Sequence, residues 1–100
     1  MLEGAGMKLL MIIVESVHKV ELEVLLNTHD IVGYTEIPQV FGSGTTGQRM
    51  GSRAFPKTSS IIFTVIPQEV LKPLVDDIEL YCEACMKHMK MIVWSVEQVI

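Results

Sequence analysis

Near the C-terminus Cys82, Cys85 and His88 stand in C-x2-C-x2-H spacing, interleaved with Met86, Met89 and Met91. Thiolates and thioethers are soft donors, so such a set suits Cu(I) or a similar ion. On an ideal helix Cys82, Cys85, Met86 and Met89 share one stripe, whereas His88 is rotated away from Cys82. A helix ending near Met86 would let His88 swing back towards the thiols. The same residue types are ordinary core formers, and a lone C-x2-C without a second pair is a weak metal signature. Two readings stand side by side: a metal set of Cys82, Cys85 and His88, or one apolar face of a packed helix.

A second candidate is Gly42–Gly47, GSGTTG, which matches G-x-G-x-x-G. That turn cradles a pyrophosphate only when a strand ends at its first glycine and a helix opens at its last. Here Gly51 and Pro56 follow closely, and neither residue type sits well inside a helix. The dinucleotide reading fails on context, and the run becomes the root of a long loop over residues 42–57. Loops of this length in small domains are usually functional or disordered. Arg49 and Arg53 could pair with phosphates or with a partner's acidic patch; otherwise they solubilise the loop tip. No Ser/His/Asp or Cys/His grouping can be assembled from local spacing, so the sequence reads as a non-enzyme. His18 and Asp76-Asp77 read as solvated surface groups.

These residues must be carried by few elements, because 100 residues make one domain. With 49% hydrophobic and 20% charged residues the chain is no disordered segment. It also has more apolar surface than one small monomer can hide. A net charge of −4 argues against nucleic acid, which needs a basic footprint. The apolar run Leu9 to Val14 is far too short for a membrane span and lacks the flanks of a signal peptide. Two cysteines make no disulfide framework, which points to a reducing cytoplasm. Residues 1–6 carry no pattern and read as a disordered or tag-like start to a single domain over 7–100.

Met7 to Glu15 is a branched apolar run and reads as a buried strand. Ser16 is a candidate N-cap, after which Val17, Val20, Val24 and Leu25 recur at helical spacing as far as Asp30. Gly33 to Gly42 reads as a strand that Pro38 confines to an edge or a bulge. Thr58 to Ile66 is another branched strand, and Pro67 opens a helix whose stripe is Val70, Pro73, Leu74, Ile78, Tyr81, Cys82 and Cys85. Lys90 to Ile100 is a last strand with Ile92, Trp94 and Val96 on one face and Met91 and Val93 on the other. The order is βαββαβ: an α+β, ferredoxin-like plan in which two helices cover one face of a four-stranded antiparallel sheet. The other face needs cover, which points to an oligomer.

GYTEIP, then FGSG with its glycine-rich loop, together with VIPQEVLKPLVDDI and the ending MIVWSVEQVI, resemble PII signalling proteins over most of Met7 to Ile100. The resemblance implies a homotrimer with three clefts between subunits, each sensing an adenine nucleotide such as ATP, ADP or AMP. It also implies a loop that docks on a transporter, enzyme or regulator. Carried over by position, the ligand-binding residues would be Gly33, Tyr34, Thr35, Phe41, Gly42, Ser43, Gly44, Val65 and Lys90. Glycines let backbone N–H groups approach an anion, and a lysine at a strand start supplies a point charge for phosphate. The sequence departs from the family where CEACMKHMK replaces a glycine-rich phosphate turn. It also lacks the basic tail that clamps a triphosphate and the loop tyrosine that is nucleotidylated in some members. The alternative expectation is a PII-like protein tied to metal efflux through Cys82, Cys85 and His88.

Overall fold

The computed structural model describes residues 6–44 and 47–100, apart from the side chains of Ala84 and Cys85. Strand β1 (Met7–Glu15) alternates strictly: Leu10, Ile12 and Val14 are fully buried, and the residues between them are only half-covered. A 3-10 turn (Ser16–His18) leads into α1 (Lys19–Thr28). Asp30 then takes a left-handed conformation, φ 60°, to end the helix and turn the chain back. Strand β2 (Thr35–Val40) follows. Next comes a ribbon of β3 (Gly42–Gly44) and β4 (Gly47–Arg49). Strand β5 (Ser59–Pro67), α2 (Gln68–Tyr81), the short α3 (Glu83–Lys87) and β6 (Met89–Val96) complete the chain.

The main sheet has the order β2-β5-β1-β6, and all three of its pairings are antiparallel. This is the split βαβ arrangement expected from the element order. Registers set the two faces. Leu10↔Thr64, Ile12↔Ile62 and Val14↔Ser60 face the helices, where Leu22, Leu26, Leu74 and Ile78 meet them in one core. On the opposite face lie Leu9↔Trp94, Met11↔Ile92 and Ile13↔Lys90, with Ile61, Phe63 and Val65 beside them. No described helix covers that face, and Trp94 is 44% exposed. No described helix is long and apolar enough to cross a membrane.

Pro38 sits on the edge strand at a register shift between Ile37 and Val40, and Gln39 takes φ 55° there. A proline cannot donate to a ladder, so edge and bulge are the places that accept it. Beyond the bulge Val40 pairs with Ser59, so the loop leaves and re-enters the sheet at adjacent positions.

Three expectations need correction. On α1 the core stripe is Leu22, Leu25 and Leu26, whereas Val17 in the preceding turn and Val20 and Val24 on the helix are 72%, 64% and 58% exposed. Both sets have helical spacing, and the longer leucines reach the sheet. On α2 the buried residues are Leu74 and Ile78, followed by Cys82 where the helix breaks; Tyr81 and Pro73 face outwards. The last strand also stops at Val96, short of Ile100.

Candidate functional site

The site is built where β1 ends. Glu15 closes an apolar strand with a carboxylate, yet it is only 4% exposed. Its backbone N–H donates to the carbonyl of His88, 3.1 Å, at the start of β6. The next N–H, of Ser16, donates to the carbonyl of Thr58, 2.9 Å, on the returning end of the loop. One strand terminus therefore ties together the loop's return and the entry to the last strand.

A buried carboxylate needs a partner, and the loop supplies it. Arg49, at the end of β4, turns inward and donates from one terminal nitrogen to Glu15 Oε2 at 2.7 Å. Its other terminal nitrogen donates to the carbonyl of Gly47, 3.2 Å. His88 Nδ1 lies 3.5 Å from the same Glu15 oxygen and 3.5 Å from the guanidinium. The ring of His88 stacks on that of His18, 5.8 Å between centroids and 11° from parallel. Lys57 Nζ approaches the other carboxylate oxygen at 3.7 Å. Burial pushes the Glu15 carboxyl upward, but the Arg49 hydrogen bond and the charges of Lys57, Arg49 and His88 outweigh it, and hold it below the usual carboxylate range.

Above this cluster opens a cavity of about 410 Å³ at one end of the uncovered sheet face. The loop root (Val40, Phe41, Gly42, Ser43 and Gly44) forms one wall. Arg49 and His88 lie in its lining, Lys87 and Lys90 add two more cations, and Ile13 and Ile61 make an apolar patch. Apolar wall, backbone-rich loop and clustered cations suit a ligand with a flat ring and an anionic group. The loop wall is itself ordered by pairing: Gly42↔Arg49, Ser43↔Gln48 and Gly44↔Gly47 make the ribbon. Beyond it Met50 N–H donates to the Phe55 carbonyl, 3.2 Å, and closes a turn. At Gly51, with φ 63°, a Cβ would stand 2.9 Å from the Phe41 ring, so the turn packs directly on that ring.

Of the ligand-binding residues expected from sequence, Phe41, Gly42, Ser43, Gly44 and Lys90 line this cavity. Gly33, Tyr34, Thr35 and Val65 are not among its lining residues. Gly33 accepts at its carbonyl from Thr64 Oγ1, 2.7 Å, and Tyr34 donates to Glu23 on α1, 3.0 Å. Thr35 pairs with Phe63. Val65 lies six residues along β5 from Ser59, about 20 Å at the usual strand rise. Arg49, expected to meet phosphates or a partner's acidic patch, lies in a buried ion pair with Glu15. Arg53 stays exposed. His18 is likewise half-buried under His88 rather than a surface group.

Among the described residues, Cys82 and His88 do not fall in one group of metal-ligating side chains. Cys82 packs in the core beside Glu21, with its sulfur 3.1 Å from Oε2. The Cys85 side chain lies outside the described residues. Among those described, no three His, Cys, Asp or Glu side chains are grouped to hold a metal ion. Glu15 was missed from sequence; its one signal is a charge ending the apolar run from Leu9 to Val14.

Comparison with known proteins bears on the same segments. The family model described as nitrogen regulatory protein P-II matches residues 7–100. Among solved structures, CPII, a nitrogen regulatory PII-like protein from Thiomonas intermedia K12, is similar in its complex with ADP, AMP and bicarbonate. The identity is 26%, over 91% of this chain and 94% of that one, with a TM-score of 0.67. Its complex with ADP and bicarbonate gives 26% identity, 92% and 89% coverage and a TM-score of 0.70. A PII-like signalling protein from Thermus thermophilus, at 22% identity, shares the fold with a TM-score of 0.63, over 90% of this chain and 85% of that one. A search of curated proteins finds no match.

Proposed function

The chain belongs to the nitrogen regulatory protein P-II family, and from that premise we propose that it is a non-catalytic sensor of adenine nucleotides. The nucleotide enters the cavity at the loop root, and the loop carries the result to a partner protein. One observation supports this reading above others: the cavity joins Phe41–Gly44 of the loop to Lys87 and Lys90, an apolar and backbone-rich wall facing clustered cations. CPII, 26% identical over most of its length, has been solved with ADP, AMP and bicarbonate, which makes ADP and AMP the first ligands to try.

The remaining expected residues favour assembly. Gly33, Tyr34, Thr35 and Val65 lie outside the lining of the cavity, so they can serve the same ligand only from a neighbouring copy. The uncovered sheet face, which runs into the cavity through Ile13, Ile61 and Lys90, is the surface on which such a copy would pack. We therefore read the site as a cleft between subunits of a trimer.

Titration calorimetry of the purified protein with ATP, ADP and AMP tests the proposal. Binding of at least one nucleotide is expected, weakened about tenfold in Lys90→Ala, the equivalent of one charge-assisted hydrogen bond. Absence of heat with all three nucleotides, in protein whose fold circular dichroism verifies, would refute it.

A further inference from the structure

Arg49 belongs both to the cavity lining and to the buried cluster behind it, and it is the member of that cluster that the loop contributes from its ribbon. Its guanidinium has five N–H donors in a planar fork, and among the described residues its contacts engage only its two terminal nitrogens. The partner that holds it, Glu15, presents a carboxylate, a planar oxyanion of the kind that guanidinium groups recognise. Arg49 is also paired across the ribbon to Gly42 at the base of the loop. Whatever holds the guanidinium therefore holds the loop root.

Resting on the reading that an anionic ligand enters this cavity, we propose that Glu15 is a built-in competitor for the ligand's anionic oxygens. It keeps Arg49, and with it the β3–β4 ribbon, in the ligand-free position, and an incoming oxyanion takes Arg49 over and releases the ribbon. The exchange is feasible because it swaps one charge-assisted contact for another of the same kind. The carboxylate left behind is not stranded, since Lys57 and His88 lie 3.7 Å and 3.5 Å from it. The oxyanion can come from a nucleotide phosphate or from a free planar anion such as bicarbonate. Both present oxygens to the same fork, so the experiment separates them.

Calorimetry of wild type, Glu15→Gln and Arg49→Gln with ADP alone and with bicarbonate alone makes the test. Glu15→Gln keeps the shape and removes the competing charge, so it should bind the true oxyanion about tenfold more tightly. Arg49→Gln should lose most of that affinity. A gain with ADP assigns the oxyanion to the phosphate; a gain with bicarbonate assigns it to the free anion. The loop supplies a ligand-independent readout: trypsin should cut after Arg53 several-fold faster in ligand-free Glu15→Gln than in wild type. Should Glu15→Gln fail to fold, Glu15→Asp keeps the charge but shortens its reach, and should shift both readouts in the same direction by less. Affinities for both ADP and bicarbonate that these substitutions leave unchanged, or unchanged cleavage at Arg53, overturn the exchange alone. Failure of every form to bind ATP, ADP, AMP or bicarbonate overturns the proposed function and the exchange with it.

Discussion

At the scale of single residues, the cluster around Glu15 combines one carboxylate with Arg49, Lys57 and His88, and its pH response follows from that charge balance. The Glu15 carboxyl is held below its ordinary value of 4.5 in the fold. Between its folded value and 4.5 the unfolded chain therefore binds more protons, and stability must rise with pH. The contribution is complete above about 4.5 and drains away as pH falls through the lower folded value. Urea midpoints measured from about pH 7 down to about pH 3 should fall at the acid end in wild type, and less steeply in Glu15→Gln. Little of this was legible in the sequence. Arg49 reads as a loop charge because its partner lies 34 residues away, and no local spacing connects them. Lys90 and the glycines of the loop root, expected from the family resemblance, line the cavity.

At the scale of elements, the order of strands and helices could be read directly, since each segment carries its own periodicity and punctuation. Pro38 announced an edge or a bulge and occupies both. What periodicity could not decide was which of two stripes on α1 meets the sheet. Leu22→Ala, which empties a fully buried position, should cost about 2–5 kcal/mol. Val20→Ala, on the exposed stripe, should stay within about 0.5 kcal/mol. Denaturant unfolding of the two variants measures the contrast, and equal losses would mean that the helix is rotated from the face assigned here. The loop was harder to read, because the ribbon from Gly42 to Arg49 depends on pairing between glycine-rich segments that have no apolar alternation.

At the scale of the whole molecule, alternation along β1, β5 and β6 signalled a sheet with two apolar faces, and only one of them is covered by the chain's own helices. Trp94, paired with Leu9 at the centre of the other face, is the most informative probe. Light scattering on a sizing column should give three times the 11.2 kDa chain mass. Trp94→Glu should shift the protein towards monomer, since an unpaired charge in an apolar interface is strongly unfavourable. A wild-type monomer would remove the neighbouring copy that the complete site needs. The pairing of Val40 with Ser59 has a consequence of another kind. Because the segment between them departs from and returns to touching strands, its length is almost invisible to the sheet. Doubling such a closure costs only about 0.6 kcal/mol. Insertions, deletions and wholesale replacements there are therefore cheap raw material for descent. Lineages could exchange one interlocutor for another at this single port while inheriting the sheet and its core unaltered.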